Sequence, residues 1–474
     1  MALLPPAEAE RQIDALIFAR TAEGDHDAKM RRVADALELV GDPQHSLRAV
    51  HVTGTNGKTS TSRMIESLLR AHGLRTGLFT SPHLTTFRER IQIDGQPLPL
   101  DALARLWERI LPAINAVDER SVAAGGPCMS FFEVLTVLGM CAYEEAGVDV
   151  AVVEVGIGGA RDATNVVHGE VAVLTPMAED HSDYFVGGIT GVATEKSGII
   201  KRGALVVSAT QPLIAEEIIR DAAALQGAQL RWEGLHHDVL SRDADPAGQV
   251  VALRTLSGTH EDILVPLHGD FQAQNALVAL AATEAALELR GMELDSEAVA
   301  RGFAGATSPG RLEVIAAEPT IVVDAAHNPH GVTALAGSLG ETFGFESVVG
   351  VVAVLSDKDG DGILAGLQPV VDHVVVTQTS SPRATPVDEL AAAAIAVWGP
   401  EHVSVAASVA EALDLATAMA TARDGECGVL VAGSITLVAE ARRLVQRVHE
   451  AEVAHEAPRR LADTGESSAE SVPA

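Results

Sequence analysis

Residues 49–60 read AVHVTGTNGKTS, and this stretch decides the fold. An apolar run ends in a Gly-rich turn. Lys58 follows with two hydroxyls, Thr59 and Ser60, and then a helix-like segment over 62–71. This is the order of a phosphate-binding loop: a strand delivers the turn, glycines let backbone N–H groups approach phosphate oxygens, and the lysine supplies charge. The helix beyond it points its positive end at the same phosphates. The general pattern GxxxxGK[ST] wants a glycine where Val52 stands, and the first glycine here is Gly54. A bare Gly-Lys-Thr occurs in any solvated loop. The strand, TGTNGKTS and a helix in sequence speak for nucleotide phosphate binding over an ordinary strand–helix turn.

The rest of the composition fits a cytoplasmic globular protein. With 474 residues, two or three domains with real cores are expected. Apolar residues make up 47% but aromatics only 3%, so the cores must be built from Ala, Val, Leu and Ile. Cys128, Cys141 and Cys427 are far apart and form no CxxC pair. That disfavours zinc and a disulfide framework, fits a reducing compartment, and suggests three buried small hydrophobes. No apolar stretch is long enough to span a membrane, and the N-terminus lacks a signal-like core. A net charge of −31 disfavours nucleic acid as a partner. It also requires local cations to draw an anionic substrate, and lysines are few: Lys29, Lys58, Lys196, Lys201 and Lys358.

Along the chain, residues 7–40 read as mostly helical with a turn at 25–27. A short strand at 78–80 leads into SPHLTTFRERI (81–91), a hairpin about Asp94-Gly95, and helices over 101–116 and 130–145. Residues 148–155, VDVAVVEV, have the continuous apolar character of a strand buried on both faces of a parallel sheet. A Gly-rich loop, 155–165, follows. Further strands are expected at 171–175 and 205–208, helices at 191–200, 214–224 and 275–289, and an antiparallel annex at 228–266. Pro and Gly cluster at 307–311, TSPGR, marking a boundary. Beyond it, strands at 320–323, 348–354, 374–377 and 429–431 alternate with helices, as in a second, smaller α/β unit with a parallel sheet. The expected domains are 1–306, 307–454 and a disordered polar tail, 455–474.

Several strand ends carry chemistry. Glu154 closes an apolar strand, where open α/β sheets keep ligand groups; a carboxylate there is costly without a partner. It is the best candidate ligand for the Mg²⁺ that a nucleotide triphosphate brings, with Thr59 or Ser81 to complete the shell. A salt-bridged strand end is the plainer alternative. His181 lies just past the next strand, at the same sheet edge. Physics alone makes Lys196 a helix-surface lysine. In the second unit, residues 324–329 read DAAHNP at a strand end. Were a nucleotide to lie between the units, Asp324 could hold ribose or adenine and Arg311 could clamp phosphate; a helix N-cap and a surface arginine are the alternatives.

Taken in order, TGTNGKTS, TSPHL with ERI, VEVGIGG with DATN, DH followed by EKSGII, PGRLE and DAAHNP resemble the folylpolyglutamate synthase and dihydrofolate synthase family of the Mur ligase superfamily. The resemblance covers about 7–448, and MSFFEVLT, TSPGRLE and DAAHNP look most like actinobacterial bifunctional members. It implies an N-terminal P-loop ATPase domain with a mostly parallel sheet and a smaller C-terminal Rossmann-like α/β domain. It implies that ATP phosphorylates a carboxylate and that L-glutamate's amine then attacks the acyl phosphate. The acceptors would be dihydropteroate and reduced folates, and the enzyme a monomer. By the same resemblance Thr55, Asn56, Gly57, Lys58, Thr59, Ser60, Asn275, Arg311 and Asp324 contact ATP, with Lys58 and His327 among the catalytic residues. Ser81 and Glu154 hold one Mg²⁺, and His181 and a carbamylated Lys196 serve a second; K⁺ is a further candidate cation. Asp27, Ser130, Phe131, Phe132, Glu133, Arg161, Asp162 and Ala163 fall in the pterin-binding segments. Three departures stand out. GGRxDATN appears as Gly158, Gly159, Ala160, Arg161, Asp162, shifting the arginine by one place. Phe271 replaces a common histidine, and Phe185-Val186 replaces leucine-glycine.

Two rival readings differ in class. A cell-wall Mur ligase shares the loop but carries an added N-terminal domain, for which the segment before Ala49 is too short. A nucleotide-switched P-loop protein without ligase chemistry leaves His181 and Lys196 without roles.

Overall fold

The structure, a computed structural model, describes residues 5–20, 26–179, 185–423 and 425–448. It divides into two compact units, Met1–Pro309 and Gly310–Ala474. The expected tail, 455–474, lies outside the described residues.

The first unit opens with α1 (Pro6–Ala19) and α2 (His26–Leu39). Asp27 is therefore helical, not part of a turn. Then come β1 (Ala49–Thr53), α3 (Lys58–Ala71), β2 (Thr76–Phe79), β3 (Ile91–Ile93) and β4 (Gln96–Pro97), the last two forming the hairpin about Asp94-Gly95. Next are α4 (Leu100–Ala123), α5 (Phe131–Ala146), β5 (Val150–Glu154), β6 (Gly169–Leu174), α6 (Ile189–Ser197), β7 (Leu205–Ser208), α7 (Leu213–Gln226) and β8 (Gln229–Trp232). The unit closes with β9 (Asp238–Asp245), β10 (Gly248–Thr255), β11 (Gly258–Val265), α8 (Asp270–Glu288) and α9 (Ser296–Ala304).

Eight strands form one sheet in the order β4-β3-β2-β5-β1-β6-β7-β8. From β2 to β8 every pairing is parallel; β3 and β4 add an antiparallel edge. β1 sits centrally, with Val52 opposite Glu154 of β5 on one side and Val173 of β6 on the other. The chain thus leaves β1 in one direction and returns on the other, so the carboxyl ends of β1, β2, β5 and β6 share one crevice edge. The antiparallel annex is narrower than expected. β9, β10 and β11 form it, while β8 pairs in parallel with β7 and extends the main sheet.

Small side chains build the core, as the shortage of aromatics requires. On one face, α3 and α8 pack Met64, Ile65, Leu68 and Leu69 with an almost unbroken alanine surface: Ala273, Ala276, Ala279, Ala281, Ala282, Ala285 and Ala286, all buried. α9 comes so close that a Cβ on Gly302 would lie 2.8 Å from the Leu68 Cα. On the other face α4 and α5 bury Trp107, Ile110, Leu135, Leu138 and Tyr143. Of the cysteines only Cys141 is buried; Cys128 is exposed and Cys427 half-buried, against the expectation of three core residues. A thiol's modest hydrophobicity does not by itself bring it into a core.

The second unit holds β12 (Glu313–Ala317), β13 (Thr320–Asp324), α10 (Pro329–Phe343), β14 (Ser347–Val352), α11 (Gly360–Leu367), β15 (His373–Val376), α12 (Val387–Trp398), β16 (Val403–Val405), α13 (Val409–Thr421) and β17 (Cys427–Ala432), followed by helix over 435–448. Its sheet runs β12-β13-β17-β14-β15-β16. It is parallel except for β12, an antiparallel edge strand that the alternating β/α pattern did not announce. The unit has its own core of Val322, Leu335, Val352, Leu364, Val374 and Leu430.

Candidate active site

The loop between β1 and α3 is locked by close packing. Gly54 and Gly57 adopt φ of 149° and 81°, in the region that favours glycine. A Cβ on Gly54 would stand 1.9 Å from Thr175 Oγ1, and one on Gly57 2.3 Å from Asn275 Oδ1. The chain leaving β6 braces the loop further. Thr175 Oγ1 donates to Asn56 O at 2.7 Å. The Thr55 and Asn56 amides both donate to Pro176 O, at 3.0 and 3.4 Å. The Thr55 hydroxyl donates to Ala178 O and accepts from Ala178 N, each at 3.0 Å. α3 makes its first turn from Thr61 N to Gly57 O at 2.9 Å, so the amides of Lys58, Thr59 and Ser60 emerge at the helix end. Lys58 Nζ arches back over the loop and donates to Gly54 O at 3.0 Å and Thr55 O at 2.9 Å.

Beside this helix end stands Glu154, 1% exposed at the end of β5. Its Oε1 accepts from the Thr59 hydroxyl at 2.8 Å and its Oε2 from the Ser81 amide at 3.1 Å. Ser81 O in turn accepts from the Thr59 hydroxyl at 3.3 Å. The three predicted metal-side residues therefore converge. Ser60 faces elsewhere: its hydroxyl contacts Ser308 Oγ at 2.8 Å and accepts from Gln272 Nε2 at 3.3 Å. It offers the site its amide, not its oxygen. Asn275 donates to Gln272 Oε1 at 3.0 Å while its amide oxygen rests against Gly57.

Lys196 is buried, near the end of α6, and Nζ donates to Ile157 O at 2.9 Å, 5.3 Å from the Phe185 ring centre. It is a core-facing lysine, not the surface one that periodicity alone suggests. Sequence reasoning missed its neighbour Glu195. That buried carboxylate accepts from Gly159 N at 3.3 Å, Arg161 N at 2.7 Å and Arg161 Nε at 2.8 Å, pinning the Gly-rich loop to α6. The signal was the carboxylate beside Lys196 in EKSGII. Asp162 is also turned inward, accepting from the amides of Gly156, Ile157 and Thr164 and from the Thr164 hydroxyl. It shapes the loop that Arg161 rides on, and Ala163 is buried in the core beneath. His181 lies outside the described residues, as does the Asp27 side chain. Among the described residues no group of three or more His, Cys, Asp or Glu side chains is placed to hold a metal.

The expected pterin segment starts α5. Ser130 caps the helix, accepting from Glu133 N at 3.4 Å, and Glu133 closes the capping box on Ser130 N at 2.8 Å. Glu133 is also gripped by Arg32, Nε at 2.8 Å and Nη2 at 3.1 Å, a buried fork that the sequence did not reveal. Its carboxylate is thus spent on structure. What it positions is Phe131, buried, and Phe132, half-buried, whose ring meets Phe79 edge-on at 5.7 Å and would touch any Cβ on Gly156.

In the second unit Asp324 ends β13, buried, and accepts from Leu312 N and Ala326 N, both at 2.7 Å. Burial pushes its carboxyl pKa up, against the opposing pull of Arg311 and the two amides. Asp324 is not the N-cap of α10; Asn328 is, accepting from Gly331 N at 2.7 Å. Half-buried His327 pairs through Nδ1 with Ala325 O at 2.9 Å.

With this geometry in view, the comparisons with known proteins are specific. Residues 52–283 match the Mur ligase middle domain and 310–435 the Mur ligase glutamate ligase domain. The dihydrofolate synthase/folylpolyglutamate synthase of Mycobacterium tuberculosis is 42% identical over 457 residues, 92% of this chain and 94% of that one. The chain belongs to the folylpolyglutamate synthase/dihydrofolate synthase family of Mur ligases. The family member of Escherichia coli is 34% identical over 424 residues, 88% of this chain and 92% of its own. Among solved structures, Mycobacterium tuberculosis folylpolyglutamate synthase complexed with ADP superposes with a TM-score of 0.88 at 43% identity, covering 93% of this chain and 99% of that one. An Escherichia coli FolC structure with ADP and no folate reaches 0.80 at 30% identity, covering 94% and 99%. Membership in this synthase family excludes the nucleotide-switch reading, and no helix among the described residues is long and apolar enough to cross a membrane.

Proposed function

We propose that this chain is an ATP-dependent ligase that joins L-glutamate to the carboxylate of dihydropteroate and to the γ-carboxylate of reduced folates, acting as a cytoplasmic monomer. The observation that carries the reading is the Glu154 carboxylate, buried against Thr59 and Ser81 at the head of the phosphate loop. Its oxygens accept from the Thr59 hydroxyl and the Ser81 amide in a place that ATP's phosphates must approach. Hard oxygen donors in that arrangement suit Mg²⁺. Thr59, Ser81 and Glu154 would hold one ion, and His181 with a carbamylated Lys196 a second. The ions' contribution is neutralisation of phosphoryl charge.

The protein's own residues do the rest. Lys58 and the amides of 57–60 hold the phosphate oxygens, and the buried edge keeps water from a reactive acyl phosphate. A carboxylate oxygen of the acceptor bonds to the γ-phosphorus as the bond to ADP breaks. The glutamate amine then adds to the acyl carbon, loses a proton, and phosphate leaves. The matched glutamate ligase domain supports giving the second unit, 307–454, its part in the glutamate step; Arg311, Asp324 and His327 remain its proposed nucleotide-side residues and Asn275 that of the first unit, 1–306. Phe131, Phe132 and the Arg161 loop form the proposed pterin side.

The test is ADP release with Mg-ATP and L-glutamate, supplying dihydropteroate and tetrahydrofolate in separate reactions, with KCl exchanged for NaCl to read the K⁺ requirement. Release with both acceptors is the expected result. Release with neither, by protein that still binds ADP, overturns the reading.

A further inference from the structure

Three consecutive charged residues end the loop between β2 and β3, and they behave differently. Arg88 donates to Glu10 at 2.8 Å and to Leu98 O at 3.1 Å. Glu89 spends both oxygens on the amides of Leu84, Thr85 and Thr86, each at 2.9 Å. Arg90 has neither kind of partner. Its Nε donates to His83 Nδ1 at 2.8 Å, and its guanidinium carbon lies 5.4 Å from the centre of the Phe131 ring. Among the described residues its two terminal nitrogens have no hydrogen-bond acceptor, and no carboxylate lies within 4.0 Å.

This cation is held in an awkward place. Burial pushes its pKa down to about 10, with the charges of Glu154 and Glu89 acting the other way. His83 accepts the Nε hydrogen bond through Nδ1, which fixes how the guanidinium is turned. A guanidinium bedded on a ring, with Nε occupied, presents its Nη1/Nη2 edge, the edge that takes a carboxylate through two parallel bonds. A half-buried cation without an anion in contact is costly, and among the described residues no carboxylate stands within ion-pair distance of it. The neighbours say which anion fits. Phe131 lies under the guanidinium, Phe132 packs against Gly156, and Gly156 is two residues beyond Glu154.

We propose that Arg90, oriented by His83, is the anchor for the reacting carboxylate of the acceptor, holding it between the Phe131–Phe132 pair and the phosphate edge at Glu154. The inference rests on the ligase reading above. One carboxylate oxygen, freed toward the γ-phosphorus, forms the new P–O bond as ADP leaves. The other stays on Arg90 and carries the negative charge that develops when the glutamate amine adds to the acyl carbon.

The experiment uses the full chain, in wild-type, Arg90→Gln and Arg90→Lys forms. Each is titrated, with a non-hydrolysable ATP analogue and Mg²⁺ present, with dihydropteroate and with its carboxamide, which keeps the shape and lacks the charge. Wild type should favour the acid over the amide by at least about tenfold, the worth of a charge-assisted bond. Arg90→Gln should bind the two alike, with its affinity for the ATP analogue unchanged, and Arg90→Lys should fall between. A variant that keeps the wild-type preference for the acid, or loses acid and amide equally, overturns the proposal and makes Arg90 a packing residue. If Arg90→Gln fails to fold, Arg90→Lys decides by the same ratio. Failure of the wild type to ligate either acceptor removes the functional reading, whereas Arg90's part falls on the acid-to-amide comparison.

Discussion

Glu154 is where the chemistry of the chain concentrates: it accepts from the Thr59 hydroxyl on the first turn of α3 and from the Ser81 amide in the loop after β2. Glu154→Gln keeps the shape and removes the charge. We expect it to raise the Mg²⁺ concentration for half-maximal ADP release by about 10–100-fold, the loss seen when a group supporting a bound metal is removed. A titration of rate against Mg²⁺ that is unchanged would place Glu154 outside the metal shell. The glycines of the loop make a second case. Gly54→Ala would force a methyl group onto Thr175 at a φ that alanine avoids. The expected cost is about 2–4 kcal/mol, from backbone strain and overpacking together, read as a shift in the denaturation midpoint. A midpoint within error of wild type would show that the loop yields where the structure has it clamped. At this scale the sequence was informative for groups at strand ends, because strand and ligand edge follow from one pattern. It was poor for Glu195, Arg32 and the inward turn of Asp162. Arg32 with Glu133 and Glu195 with Arg161 join residues far apart in the chain, which no local spacing encodes, and Asp162 turns inward onto amides of its own glycine-rich loop, whose path no periodicity marks.

Among elements, the parallel strands were legible because β5, β6, β13 and β14 are continuous apolar runs, buried on both faces. Helix ends were legible where a cap marked them, as at Ser130. The failures lie at sheet edges. β12 and β16 are short and half-exposed, so neither alternation nor a continuous apolar run marks them, and β8 was assigned to the annex because its partner β7 is non-local. Three histidines on or beside these elements predict an acid response. Burial pushes His51 down to about 3 and His83 and His237 to about 4. Between the ordinary value of about 6.5 and about 4, the unfolded chain binds protons that the folded chain refuses, so stability falls as pH falls through that window. Asp324, whose pKa is raised, acts in the opposite sense at the low end. Denaturant midpoints measured from pH 7 to pH 4.5 should decline, and His51→Gln should flatten the decline. Equal slopes in the two proteins would remove His51 as a contributor.

For the molecule as a whole, the two units divide after Pro309. Each unit has a sheet and a core of its own. A fragment spanning 310–448 is therefore expected to fold alone, giving a cooperative thermal transition followed by circular dichroism. A featureless melt would mean that the second core is too small to stand without the first.

The alanine face of α8, packed against α3, has a further consequence, for how the sequence can change. A core of small side chains has few methylenes to lose, so truncation leaves shallow voids. It also has no slack, and enlarging Ala279, Ala282 or Ala286 would drive the helix off the sheet. Tolerance there should be lopsided. In a library of single substitutions along α8, gain of volume would be purged far more often than loss of polarity elsewhere on the surface, and drift among relatives would run through paired exchanges in which one helix grows only where its neighbour shrinks.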